Sequence, residues 1–171
     1  MFRKIRIRWQ VWRGKAIDIW SKSPYPANVL SNLYGNSFCY DGVECGSMEG
    51  FLQSLKYKDI GEQRHICRLS GKEAKWMTTA SWQEDQTVWW KGQTIDRQSK
   101  MFLRLVRAAY KAMFEQNESF RTALLSTCGK VLYHSQGAQD SHKTILTEKE
   151  FCGILTELRD KEFSLDTSIR L

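Results

Sequence analysis

A chain of 171 residues, 42% apolar and 26% charged, has the size and balance of one domain that buries its core without disulfides or metals. Its apolar runs all fall short of the roughly 20 residues a membrane helix needs, and its N-terminus alternates charged with apolar residues, so neither a membrane-embedded nor an exported protein is expected. The formal charge of +7 suits an anionic partner, either a phosphate-bearing small molecule or a nucleic acid, but a solvated basic face gives the same number.

The five cysteines (Cys39, Cys45, Cys67, Cys128, Cys152) are odd in number and scattered, which predicts reduced thiols in a cytoplasmic setting. His65, His134 and His142 form no H-E-x-x-H pattern, so no protein-held metal is expected; a Mg²⁺ carried on a phosphate leaves no trace in sequence.

In chain order, residues 4–12 alternate with period two and predict a strand, with Ala16 to Trp20 pairing to it across Arg13-Gly14-Lys15. Residues 21–36, rich in Ser, Pro, Asn and Gly, predict a polar loop of the kind that carries sites. Ser37–Tyr40 and Val43–Cys45 flank Asp41-Gly42, the strongest hairpin signal in the chain. Ser47 is placed to cap a helix over about 48–57, and Ser70-Gly71-Lys72-Glu73 and Thr147-Glu148-Lys149-Glu150 are capping boxes opening two more. The longest helix is expected from about Ser99 to Phe114, burying Phe102, Leu105, Val106, Ala109 and Met113. Asn117 then caps a short helix through Leu125, Lys130–His134 reads as a strand, and a final helix buries Phe151, Ile154, Leu155 and Leu158. With no repeat, linker or low-complexity tract, residues 1–171 are expected to form one α+β domain, predominantly helical with a small antiparallel sheet, preceded by a strand extension over about 1–15.

The helix over 48–57 is the informative one. At 100° per residue, Met48, Phe51, Leu52 and Leu55 share one stripe, and Glu49, Gln53 and Lys56 share a narrow stripe beside it. A carboxylate, an amide and an ammonium therefore run along the border of a buried face. A solvated rim with an i,i+4 polar pair gives the same pattern.

The succession of motifs is more specific than any one of them. Leu30-Ser31-Asn32-Leu33-Tyr34, then Phe38, Asp41-Gly42-Val43, Ser47-Met48-Glu49, Gln53 and Lys56 resemble the signature of the NADAR (YbiA-like) family. Glu73-Ala74-Lys75 resembles its E-A-K element, and Phe114-Glu115-Gln116-Asn117, with Arg121, Leu124-Leu125 and Thr127, its later segment. The resemblance covers roughly residues 17 to 160. The family's D-x-x-W-G is missing; Asp140 is the candidate for its aspartate, or a surface-loop residue, and Trp82, Trp89 and Trp90 compete for its tryptophan.

The resemblance implies a YbiA-like fold and an N-glycosidase that hydrolyses a base–ribose bond in an ADP-ribose-type or related nucleotide, such as ADP-ribosylated guanine or a riboflavin-pathway intermediate. Breaking that bond builds positive charge on the ribose, which a carboxylate stabilises. Glu49 is the expected catalytic residue, with Asp140 as its candidate partner. Ser31, Asn32, Tyr34, Gln53, Lys56, Trp89 and Trp90 are expected to bind substrate: amides and hydroxyls for the sugar, Lys56 for a phosphate or to hold Glu49 ionised, a tryptophan to stack the base. No cofactor is required, since water is the co-substrate. The expected partners are a nucleotide or ADP-ribosyl small molecule, or an ADP-ribosylated nucleic acid. A second reading keeps the pocket and drops the chemistry: a non-catalytic module that binds ADP-ribose or nucleic acid.

Overall fold

The computed structural model describes the backbone of residues 9–169 and the side chains of residues 9–161. Strands β1 (Ala16–Asp18), β2 (Phe38–Tyr40), β3 (Val43–Cys45), β4 (Thr87–Trp90), β5 (Gln93–Asp96) and β6 (Val131–Tyr133) alternate with helices α1 (Met48–Ser54), α2 (Ile60–Arg68), α3 (Gly71–Trp76), α4 (Trp82–Asp85), α5 (Lys100–Gln116), α6 (Glu118–Leu125) and α7 (Glu148–Ile169). The class is α+β and mostly helical, as its capping signals and periodicities predict. The strands form three separate two-stranded pairs: β2–β3 and β4–β5 are antiparallel hairpins, and β1–β6 is parallel.

The N-terminal strand reading does not hold where it can be followed. Residues 4–8 lie outside the described residues, and 9–12 are helical, with the Arg13 N–H donating to the Trp9 carbonyl at 3.0 Å. Alternation specifies a strand only when one of its faces is buried. Here Trp9, Val11 and Trp12 are all exposed, so nothing selects the extended form. Strand β1 pairs with β6, Ala16 opposite Val131 and Asp18 opposite Tyr133, and residues 9–12, being helical, do not extend it.

Local chemistry sets the other elements. Asp41 and Gly42 both have positive φ (50° and 73°), the left-handed pair that a two-residue hairpin turn requires. Lys91 and Gly92 (48° and 82°) repeat that turn between β4 and β5. The two turns meet: the Asp41 carboxylate accepts from the Trp90 indole N–H at 3.1 Å and pairs with Lys91 at 3.2 Å. These contacts hold its carboxyl below the usual range. Ser47 caps α1 by accepting from the Gly50 N–H at 3.0 Å. That helix ends at Ser54, short of 57, so Lys56 lies in the turn that follows it.

Helix α5 runs beneath the rest. Phe102, Val106, Ala109, Tyr110 and Met113 are fully buried in one core with Phe51, Leu52 and Leu55 from α1 and the turn after it, Phe120 and Leu124 of α6, and Phe151, Ile154 and Leu155 of α7. Leu105 and Leu158, expected in the buried stripes, pack partly buried against this core. Gln116 at the end of α5 pairs with the Cys39 backbone in both directions, each bond 2.8 Å, and Asn117 caps α6. The Phe114–Asn117 motif thus fastens the helices to β2. At the start of α7, Thr147 and Glu150 form the expected capping box, and Glu150 also takes both terminal nitrogens of the buried Arg97.

Candidate functional site

Five of the residues singled out from sequence line one cleft. Its larger lobe, about 560 Å³, is walled by Asn32, Glu49, Gln53 and Lys56 together with Lys75, Thr78 and Lys143; its smaller lobe, about 310 Å³, by Trp20, Ser31 and Asn32. Asn32, Glu49, Lys75, His134, Gln136 and Phe151 line both lobes and so form the waist between them.

The waist is wired to the core. The Gln53 side-chain amide donates to Glu49 Oε1 at 2.9 Å, fixing the carboxylate along the α1 border. The Gln53 amide oxygen is buried and has no hydrogen-bond partner among the described residues. A buried acceptor without a donor is costly, and here the Gln53 side chain bears that cost to hold the Glu49 carboxylate. The Tyr110 hydroxyl donates to Asn32 Oδ1 at 2.6 Å, which leaves the Asn32 NH₂ as its group for the cleft. Burial raises the Tyr110 phenol far above its ordinary range, with the Glu49 charge adding to the effect, so it acts as a fixed donor. The Asn32 carbonyl accepts the Glu49 backbone N–H at 3.0 Å, tying the loop to the first turn of α1.

Lysines surround this single carboxylate. Lys56 is 7% exposed, donates to Thr78 Oγ1 at 2.9 Å and lies 5.9 Å from the Trp82 ring. Burial pushes its pKa down to about 8, against the opposing pull of Glu49. Lys75 reaches the cleft because α3 starts hard against the loop: a Cβ on Gly71 would sit 2.4 Å from the Leu33 backbone, so only glycine permits that approach. The arrangement suits a ligand with an anionic end, a sugar between amides and hydroxyls, and a centre that becomes positive near Glu49.

Other sequence candidates lie elsewhere. Trp90 is 5% exposed and packs on Phe51 and Tyr40 in the core, and Trp89 is half-buried in β4, its backbone N–H donating to the Leu55 carbonyl at 2.8 Å. Neither lines the cleft, and Trp82 is buried behind Lys56. The tryptophan in the cleft is Trp20, 41% exposed. Tyr34 is exposed outside both lobes. Asp140 also stands outside them, on a surface turn where it accepts the His142 N–H at 2.9 Å and lies 3.9 Å from the Lys143 ammonium. Sequence reasoning missed Trp20, His134 and Lys143; only Lys75, inside the E-A-K motif, carried a local signal. Among the described residues, no group of three or more His, Cys, Asp or Glu is placed to hold a metal, and no helix is long and apolar enough to cross a membrane.

The architecture is that of YbiA: an NMR structure of this Escherichia coli protein, 21% identical, superposes with a TM-score of 0.62 over 90% of this chain and 87% of its own. At that identity the likeness establishes the fold, in line with the resemblance read from the motifs. The family model of bacteriophage protein GP30.3 matches residues 24–160, and the chain belongs to that family. A relative from Enterobacteria phage T4, an uncharacterized 17.1 kDa protein of the Gp30-rIII intergenic region, is 39% identical over 147 residues, 84% of this chain and 97% of its own.

Proposed function

We propose that the cleft hydrolyses the N-glycosidic bond between a base and a ribose in an ADP-ribose-type or related nucleotide. The observation that carries this reading is the position of Glu49, the one carboxylate among the described side chains that line either lobe, clamped by Gln53 at the waist of a cleft otherwise rich in lysine. A pocket that only gripped phosphates would gain nothing from a negative charge there. A reaction that builds positive charge on C1′ gains a great deal.

In this reading Glu49 stabilises the oxocarbenium-like centre and takes a proton from the attacking water. Lys56, Lys75 and Lys143 hold the phosphates in the larger lobe. Ser31 and the Asn32 amide meet sugar hydroxyls or a base edge, while Gln53 holds the Glu49 carboxylate in place. Trp20 takes the base-stacking role expected of Trp89 or Trp90. Asp140, away from the cleft, has no part in it. The substrate class comes from the family resemblance: ADP-ribosylated guanine or a riboflavin-pathway intermediate.

The test is incubation with ADP-ribosylated guanosine, free ADP-ribose and a pyrimidine-ribose phosphate of the riboflavin pathway, following base release by chromatography. Catalytic release from one of them is expected. Tight binding of ADP-ribose with no release from any would favour the non-catalytic binding module instead.

A further inference from the structure

We infer that His134 is a second catalytic group, donating a proton from Nε2 to the departing base while Glu49 serves the ribose and the water; this rests on the N-glycosidase reading above. Three contacts lock the ring. Its Nδ1 lies 2.6 Å from the Ile19 carbonyl, an acceptor, so Nδ1 keeps a proton throughout, and the donor form is the imidazolium with a second proton on Nε2. Phe151 packs edge-on with ring centroids 5.5 Å apart. The Cδ2 edge abuts Gly137, where an added Cβ would sit 2.7 Å away. What remains is the tip bearing Nε2, on a residue that lines both lobes together with Glu49.

The backbone explains how a residue 115 positions from Ile19 is held there. Strand β6 pairs parallel with β1, the Ile19 N–H donates to the Tyr133 carbonyl at 2.8 Å, and the next residue, His134, returns a bond to the Ile19 carbonyl. The parallel pair therefore ends in an imidazole at the waist of the cleft. Fixing Nδ1–H also fixes the tautomer that remains after Nε2 gives up its proton, so the ring need not turn over between donor and spent forms.

The step balances. The C1′–N electron pair leaves with the base nitrogen, which takes the Nε2 proton of the imidazolium and leaves the neutral Nδ1–H ring; the water oxygen bonds to C1′, and one of its protons passes to Glu49. Proton exchange with solvent then restores both residues, and the net change is addition of one water. A purine or pyrimidine that leaves protonated avoids an anionic leaving group, the usual work of a general acid.

The experiment compares wild type with His134→Asn, His134→Gln and His134→Ala by steady-state base release from ADP-ribosylated guanosine, with a thermal melt of each. Asparagine places an amide N–H where Nδ1–H was, keeping the Ile19 tie while removing Nε2. The expected result is a His134→Asn protein that melts with wild type and keeps its KM, with kcat lowered about 10²–10⁴-fold; glutamine, which cannot transfer a proton, should not rescue it. Full activity in His134→Asn would overturn the inference and leave the ring a structural tie. A rise in KM with kcat held would also overturn it, making His134 a binding residue only. A wild-type protein that releases no base would instead sink the N-glycosidase reading, and this inference with it.

Discussion

Lys56 is 7% exposed, with its ammonium bonded to Thr78 and opposite the Glu49 charge. Burial outweighs those partners and holds its pKa at about 8, below the roughly 10.4 of an unfolded lysine. The sign of the linkage follows. Below pH 8 both folded and unfolded chains hold the proton, and the penalty for burying the charge is constant. Between about pH 8 and 10.4 the unfolded chain binds more protons, so stability rises with pH, by at most about 3 kcal/mol. Lys56→Met, which keeps the volume and drops the charge, should therefore be more stable than wild type at pH 7 and lose that rise. Urea unfolding from pH 7 to 10.5 checks it, and a mutant less stable than wild type at pH 7 would contradict it. The same substitution should weaken ADP-ribose binding, measured by calorimetry, as expected of a residue that trades stability for an anion site. At this scale the sequence was most legible: the 100° periodicity alone aligned Glu49, Gln53 and Lys56, although Lys56 reaches the cleft from the turn after the helix.

Elements follow the same division between local and distant causes. Capping boxes, the Asp41-Gly42 turn and the α5 stripe were readable because each depends on neighbours within four residues. The β4–β5 hairpin escaped because Lys91 gives no turn signal of its own, and its left-handed φ of 48° is imposed by the pairing around it. The tryptophans show the limit plainly: no local rule says which of Trp20, Trp89 and Trp90 faces the cleft, and only packing separates core from cleft. Trp90→Ala, which empties a site against Phe51 and Tyr40, should destabilise by about 3–5 kcal/mol in denaturant melts. Trp20→Ala should melt close to wild type but weaken nucleotide binding by about 1–3 kcal/mol in calorimetry, the loss expected of a stacking face. The reverse pattern would return the base-binding role to the β4–β5 hairpin. Ser47→Ala removes the cap of the helix that carries Glu49 and should cost about 1 kcal/mol in the same melts; an unchanged melt would show that the cap is dispensable.

For the whole molecule, the cleft gathers residues that no local rule connects. Trp20 follows β1, Ser31 and Asn32 lie in the loop, Glu49 and Gln53 on α1, Lys75 on α3, His134 after β6 and Phe151 on α7. The parallel β1–β6 pair joins segments more than a hundred residues apart, a pairing that periodicity cannot announce. The charge of +7 acts at this scale too. A nucleotide held by the cleft lysines should lose affinity only modestly with salt, whereas duplex DNA bound through a basic face should show a log–log slope of about −0.9 per phosphate neutralised. A steep slope for the nucleotide itself, in titrations across ionic strength, would contradict the small-ligand account. The central claim rests on the charge of Glu49, and Glu49→Gln removes that charge at nearly constant volume. The decisive measurement is base release by wild type and Glu49→Gln on the same substrate, with a melt and an ADP-ribose binding curve for each. The account predicts a folded mutant with substrate affinity kept and turnover lowered about 10²–10³-fold, or about 3–4 kcal/mol of transition-state stabilisation. Retained turnover in Glu49→Gln would contradict it.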